Sequence, residues 1–150
     1  MSQLFCAGDD NPKNRSDCFV ELSKNADQNQ ILIESKVKTF FGDSIQKLAE
    51  KMLEFYEIED AKLTIHDRGA LEYVLAARLE AVIKKAYEID KEYLPEFNQD
   101  NHYSIKKEKK RRTRLYLPGN TPKFMINAGI HEPDAIILDL EDSVAPDKKM

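Results

Sequence analysis

The chain has 150 residues, 41% hydrophobic and 33% charged, with a formal net charge of -4. That length suits one domain, or a small domain with an appendage, and the mildly acidic balance argues against a nucleic-acid binder. The two cysteines, Cys6 and Cys18, are too few for a disulfide framework and suit a reducing compartment. Neither a basic-then-apolar leader nor a run of about 20 apolar residues is present. The expectation is a cytoplasmic protein without a membrane span.

Residues 1–15 are polar, with Gly8, Asp9, Asp10, Asn11 and Pro12 clustered, and read as a mobile arm. Cys18-Phe19-Val20-Glu21-Leu22 reads as a strand, Asn25 to Asn29 as a turn and Gln30-Ile31-Leu32-Ile33-Glu34 as a second strand. Residues 17–36 therefore suggest a hairpin with a longer loop. Gly42-Asp43 suggests a helix start, with Asp43 as N-cap and Gln46 at capping-box spacing. Ile45, Leu48, Ala49, Met52, Leu53 and Tyr56 make its apolar stripe. Residues 61–67 alternate, with Leu63 and Ile65 on one side and Lys62, Thr64 and His66 on the other, as in a half-buried strand. Asp67 or its neighbours cap a second helix, whose stripe is Leu71, Val74, Leu75, Leu79, Val82, Ile83 and Ala86.

The expected fold class is α+β: a two-layer ββαβα domain, then a linker and the first strands of an incomplete β/α, TIM-type barrel. The expected divisions are the arm at 1–15, the small domain at 16–88, a linker at 89–112 and a barrel segment at 113–150. Periodicity fades after 88, and KKEKKRRTR at 106–114 reads as a solvated linker rather than a nucleic-acid site. Beyond it, Leu115-Tyr116-Leu117 stops at Pro118-Gly119-Asn120, and a helical turn or two follows Pro122. Ala135-Ile136-Ile137-Leu138-Asp139-Leu140 has a buried-strand pattern and leads into Glu141-Asp142-Ser143. Such a barrel needs roughly 200 residues or more, so this segment reads as the opening of a larger enzyme domain. Left incomplete, it is expected to be an unstructured tail after about Tyr87 or to pack on a partner.

Val37, Phe41-Gly42-Asp43, Asp67, Gly69-Ala70-Leu71, Leu75 and Ala77-Arg78-Leu79-Glu80-Ala81 resemble the acyl carrier (gamma) subunit of citrate lyase over residues 16–86. More loosely, they resemble the carrier of malonate decarboxylase. Residues 112–149 resemble the start of the citrate lyase beta subunit and the wider aldolase/citrate lyase barrel, through Leu115-Tyr116-Leu117-Pro118-Gly119-Asn120 and 134–144 (DAIILDLEDSV). The resemblance implies a carrier module that holds a covalent phosphoribosyl-dephospho-CoA arm. That arm would present acyl thioesters to a fused Mg²⁺-dependent lyase barrel that cleaves citryl-thioester-type substrates. In the family, the arm hangs on a serine in a Glu-Ser-(Ser/Gly)-Asp pattern. Here the stretch is Asn14-Arg15-Ser16-Asp17, so an ungapped match puts Arg15 in the attachment slot and Ser16 one position along.

Three functions stay open. In the first, Ser16 carries the arm. In the second, the carrier fold has lost its cofactor and is an interaction or oligomerisation module attached to an aldolase or lyase that acts on free CoA thioesters. In the third, the barrel alone defines function, as an aldolase or lyase of small hydroxy acids or their CoA esters. Arg78 reads as structural or docking, paired with Glu72, Glu80 or Asp67. Asp139, Glu141 and Asp142 are the candidate substrate-binding residues. Asp139 and Glu141 would share one side of a strand at its carboxyl end, while the resemblance puts the main metal ligands and catalytic residues after Met150. His66 reads as exposed and inert, and no His or Cys pair has zinc-site spacing. The implied partners are citrate-lyase-like subunits or the attached barrel, CoA-type acyl groups, and copies within a homo- or hetero-oligomer, with no nucleic acid or membrane. The parent would be a carbon–carbon lyase, and the chain by itself is expected to be inactive.

Overall fold

The computed structural model describes residues 3–97, 99–102, 104–146 and 149. Residues 1–2 of the expected arm, 98 and 103 of the expected linker, and 147, 148 and 150 of the barrel segment lie outside the described residues. The chain forms two compact units, Met1–Pro95 and Glu96–Met150. Among the described residues no helix is long and apolar enough to cross a membrane.

The first unit holds β1 (Leu4–Ala7), β2 (Cys18–Ser23), β3 (Gln30–Ser35), α1 (Lys38–Phe55), β4 (Lys62–Asp67) and α2 (Glu72–Tyr87). The sheet order is β1-β2-β4-β3. β4 lies antiparallel to β2, with Val20 opposite Ile65, and parallel to β3, with Ile33 opposite Ile65. β2 and β3 are therefore not a hairpin. They leave a slot that β4 fills after α1 has carried the chain back over the sheet, the crossover that parallel pairing requires. The sequence offered no sign of this, because a hairpin and a split pair share the same local alternation. β1 adds an edge strand where the sequence suggested a mobile arm: Phe5 pairs with Leu22 and Ala7 with Val20.

Both helices cover the face formed by Val20, Leu22, Ile33, Leu63 and Ile65, and Met52, Leu53, Leu79, Val82 and Ile83 complete the buried core. The two apolar stripes explain why this pairing forms. Each helix hides one face, at roughly 1.5–3 kcal/mol per large apolar side chain removed from water. α1 begins at Lys38, not at Asp43, which is exposed within it. Its entry is set by Ser35, whose Oγ donates to Asp67 Oδ2 (2.6 Å) and accepts the Val37 N–H (3.1 Å). Asp67 does not cap α2 from the N-cap position, which is Leu71. Its Oδ1 instead accepts the N–H groups of Gly69 (3.0 Å) and Ala70 (2.8 Å), closing the turn that leads into the helix.

The first unit runs past residue 88 because the following segment folds back onto it. Ile89 and Tyr93 pack against the core. The Tyr93 ring meets Phe55 edge-on at 5.3 Å, and Lys91 Nζ donates to the Phe55 carbonyl (2.7 Å).

In the second unit, β5 (Arg114–Pro118) and β6 (Ala135–Asp139) pair in parallel, with Leu117 opposite Leu138, joined through α3 (Pro122–Asn127) and a 3₁₀ turn (Ala128–His131). Residues 114–139 thus form regular structure where an unstructured tail was one of the two expectations. Asp134 staples the strand starts: its Oδ2 accepts the N–H groups of Arg112 (2.9 Å) and Thr113 (3.1 Å). Those amides, Thr113 first, hold its carboxyl below the usual range. The unit is a small βαβ element with Tyr116, Ile136, Leu138 and Leu140 exposed.

Candidate functional site

Ser16 stands at the entrance to β2, and two arginines build its surroundings. The preceding loop is ordered by short turns. Asp9 Oδ1 accepts the Asn11 N–H (2.9 Å), and Asn11 Oδ1 accepts the Lys13 N–H (3.0 Å). Arg68, at the end of β4, holds the loop down by donating Nη1–H to the Asp9 carbonyl (2.6 Å) and Nη2–H to the carbonyl and Oδ1 of Asp10 (both 3.0 Å). Gly8, with φ +95°, permits the bend, because a Cβ there would run into the carbonyl of Cys18.

Ser16 has φ +59°, in the left-handed region, which costs a non-glycine residue about 1–2 kcal/mol. Its N–H donates to the Arg68 carbonyl (3.1 Å), and the Arg68 N–H donates to the Asp17 carbonyl (3.1 Å), so the β2–β4 ladder continues through this point. Its hydroxyl makes no hydrogen bond among the described residues, and the side chain is only half-buried. The next residue, Asp17, is 4% exposed. Its Oδ1 accepts the Cys18 N–H (2.8 Å) and Arg78 Nε–H (3.1 Å), and its Oδ2 accepts Arg78 Nη2–H (3.1 Å).

The sequence reading paired Arg78 with Glu72, Glu80 or Asp67. The structure instead pairs it with Asp17, 61 positions away. Glu80 binds Lys84 (3.0 Å), and Asp67 is used up in its own turn and by Ser35. Asp17, Arg68 and the loop clamp were all missed. The only signal was the adjacency of Asp17 to Ser16 and of Arg68 to Asp67. Arg15 is exposed beside Ser16.

A groove of about 530 Å³ lies between α1 and the β4–α2 turn. Phe41, Ile45 and Leu48 form one wall, and Gly69, Leu71 and Leu75 the other. On the face of the sheet opposite the two helices, His66 sits between two carboxylates. Its Nε2 is 3.1 Å from Glu21 Oε2 and its Nδ1 2.9 Å from Glu34 Oε2. The pattern did place His66 on the polar face. The two partners required knowing that β4 lies between β2 and β3.

In the second unit, β6 ends at Asp139, so Glu141 lies beyond the strand and does not share a strand face with it. Asp139 Oδ1 accepts the Glu141 N–H (2.9 Å) and Oδ2 the Ser143 N–H (3.1 Å). These bonds, that from Glu141 first, hold its carboxyl below the usual range. Both of its oxygens thus close a turn, while Glu141 and Asp142 face solvent. Among the described residues no three His, Cys, Asp or Glu side chains converge as metal ligands.

The first unit is thus a compact α+β body with a half-buried serine at the entrance to β2, and a separate βαβ unit follows it in the chain. Residues 13–86 match the family model described as malonate decarboxylase delta subunit (MdcD), and residues 112–150 match the model for HpcH/HpaI aldolase/citrate lyase. The chain is 40% identical over 73 residues to the citrate lyase acyl carrier protein of Lactobacillus helveticus, covering 49% of this chain and 75% of that one. It is 33% identical over 73 residues to the citrate lyase acyl carrier protein of Treponema denticola (49% and 83%), and 37% over 76 residues to that of Clostridium perfringens (50% and 75%). No solved structure matches the chain. The chain belongs to the citrate lyase acyl carrier family, and the stretch after the carrier domain is similar to the aldolase/citrate lyase model.

Proposed function

We propose that Ser16 carries a phosphoribosyl-dephospho-CoA arm through a phosphodiester, and that the carrier presents acyl thioesters on it to the lyase to which residues 112–150 belong. The observation that carries this reading is the presentation of Ser16. Its backbone is pinned by the ladder to Arg68, its neighbour Asp17 is locked by Arg78, and its own hydroxyl is left without a partner among the described residues. The donor set fits the group. A serine hydroxyl is the chemistry that a phosphodiester needs, and the exposed cations Lys13 and Arg15 flank it and would offset phosphate charge. When bound, the arm supplies a thiol that holds the acyl group as a thioester. The protein's own part is to hold the attachment point still, so that the arm alone sweeps space and its tip reaches a neighbouring site at high effective concentration.

The proposed substrates are citryl-type thioesters, and the proposed partners are the lyase domain and other citrate-lyase-like subunits in an oligomer. Among the described residues no three carboxylates of the second unit converge as a Mg²⁺ site would need, and each Asp139 oxygen already accepts a turn amide. The intact mass of protein from its native host tests the reading. An added mass equal to the arm, absent in Ser16→Ala, is expected. Wild-type protein without that mass would favour the other reading, an interaction module without cofactor, which Arg15 in the family's attachment slot supports.

A further inference from the structure

We infer that the groove between α1 and the β4–α2 turn is the resting seat for the thiol end of the chain's own arm. This rests on the reading that Ser16 holds that arm. The Ser16 N–H binds the carbonyl of Arg68 (3.1 Å), and the residue after Arg68, Gly69, lines the groove. An arm on Ser16 is therefore tethered within a few residues of this groove, and attachment in cis makes even a weak seat populated.

The chemistry of the groove suits an amide-and-methylene chain that is charged at one end. Its walls are apolar, and folding leaves their outer members in water: Phe41 is 57% exposed and Leu71 48%. Apolar surface this close to an attachment point gains free energy when covered. Lys47 lies on the rim without an ion pair among the described residues, placed to meet phosphate oxygens of a CoA-type arm. Val37, Phe41, Asp67, Gly69, Leu71 and Leu75 all line this groove, and all belong to the set that carries the resemblance to the carrier family. Of these, Leu75 also serves the core and Asp67 the turn, whereas Phe41 and Leu71 are largely exposed and the groove is what they share. Leu71 in particular contributes little to the interior. A seated thiol or thioester is sheltered from water and from stray nucleophiles until a partner enzyme draws the arm out.

The test uses the full chain carrying the arm, with loading verified by intact mass. Iodoacetamide alkylation of the arm thiol is timed in the wild type and in Leu71→Ser, with free CoA as reference. Leu71 is the N-cap of α2, where serine is favoured, so this variant keeps the fold while removing one wall. The wild-type thiol is expected to react more slowly than free CoA, and the Leu71→Ser thiol about fivefold faster than wild type. Loading is also expected to shift amide resonances of Phe41, Gly69 and Ala70. Equal rates in all three samples, with shifts confined to residues 14–18, would overturn the seat and leave the arm on Ser16 intact. A chain that carries no arm overturns both.

Discussion

Arg78 grips Asp17 through a two-pronged contact, Nε–H to Oδ1 and Nη2–H to Oδ2, each 3.1 Å, and so fastens α2 to the residue after Ser16. Both side chains are largely buried, at 17% and 6% exposed. The pair's net worth against an apolar replacement is small, but stranding one charge is costly. Arg78→Ala is expected to destabilise the first unit by about 3 kcal/mol. Arg78→Lys should recover only part of this, because an ammonium cannot span both oxygens. Urea denaturation checks the order. A loss below about 1 kcal/mol in Arg78→Ala would mean that the fork carries little.

Arg68 controls the loop rather than the core. Its guanidinium donates to the Asp9 and Asp10 carbonyls and to the Asp10 carboxylate. Arg68→Ala is expected to raise hydrogen exchange at residues 9–14 by about tenfold or more while α1 and α2 stay protected. Unchanged exchange in that loop would show that its own turns suffice.

The two cysteines should differ sharply in reactivity. Cys18 is 0% exposed, and burial pushes its thiol up, so thiolate is scarce there. Cys6 is only half-buried. A thiol reagent should label Cys6 in the native protein and Cys18 only as fast as the unit opens. Early labelling at Cys18, located by peptide mapping, would contradict the β1–β2 edge described above.

Tyr87 and Asp60 make stability depend on pH at both ends. The Tyr87 phenol donates to Asp60 Oδ1 (2.7 Å), and that bond, ahead of others, holds the Asp60 carboxyl below its usual range. For Asp60 the contribution is present above the ordinary aspartate value of about 3.9 and is lost as pH falls through the lower folded value. Burial first, then Asp60, pushes the Tyr87 phenol up, so its contribution is present below the ordinary tyrosine value of about 10 and is lost as pH rises through the folded one. Tyr87→Phe should flatten both flanks of a stability–pH curve read by chemical denaturation. Identical slopes in wild type and variant would count against the coupling.

The helices and strands of the first unit were legible because their signals are local. The stripes from Ile45 to Tyr56 and from Val74 to Ala86 repeat at helical spacing, and Leu63 and Ile65 alternate, so each element shows its buried face within a few residues. Helix starts were less legible. The start at Lys38 depends on Ser35 reaching Asp67 across the sheet, so Asp43 was a plausible but mistaken cap.

By itself, the sequence determined which residues had to be hidden, the two-layer class they build and the motifs that mark the carrier family and the aldolase/citrate lyase segment. Only the tertiary structure decided that β4 parts β2 from β3, that β1 closes the edge, that Arg78 answers Asp17 and that α1 and the β4–α2 turn enclose a groove. The reason is physical. Periodic burial is written over neighbouring residues. Strand order and ion-pair partners, by contrast, are chosen among many chemically equivalent candidates far apart along the chain, and the choice falls to the one arrangement that packs a continuous core and leaves no buried charge unanswered.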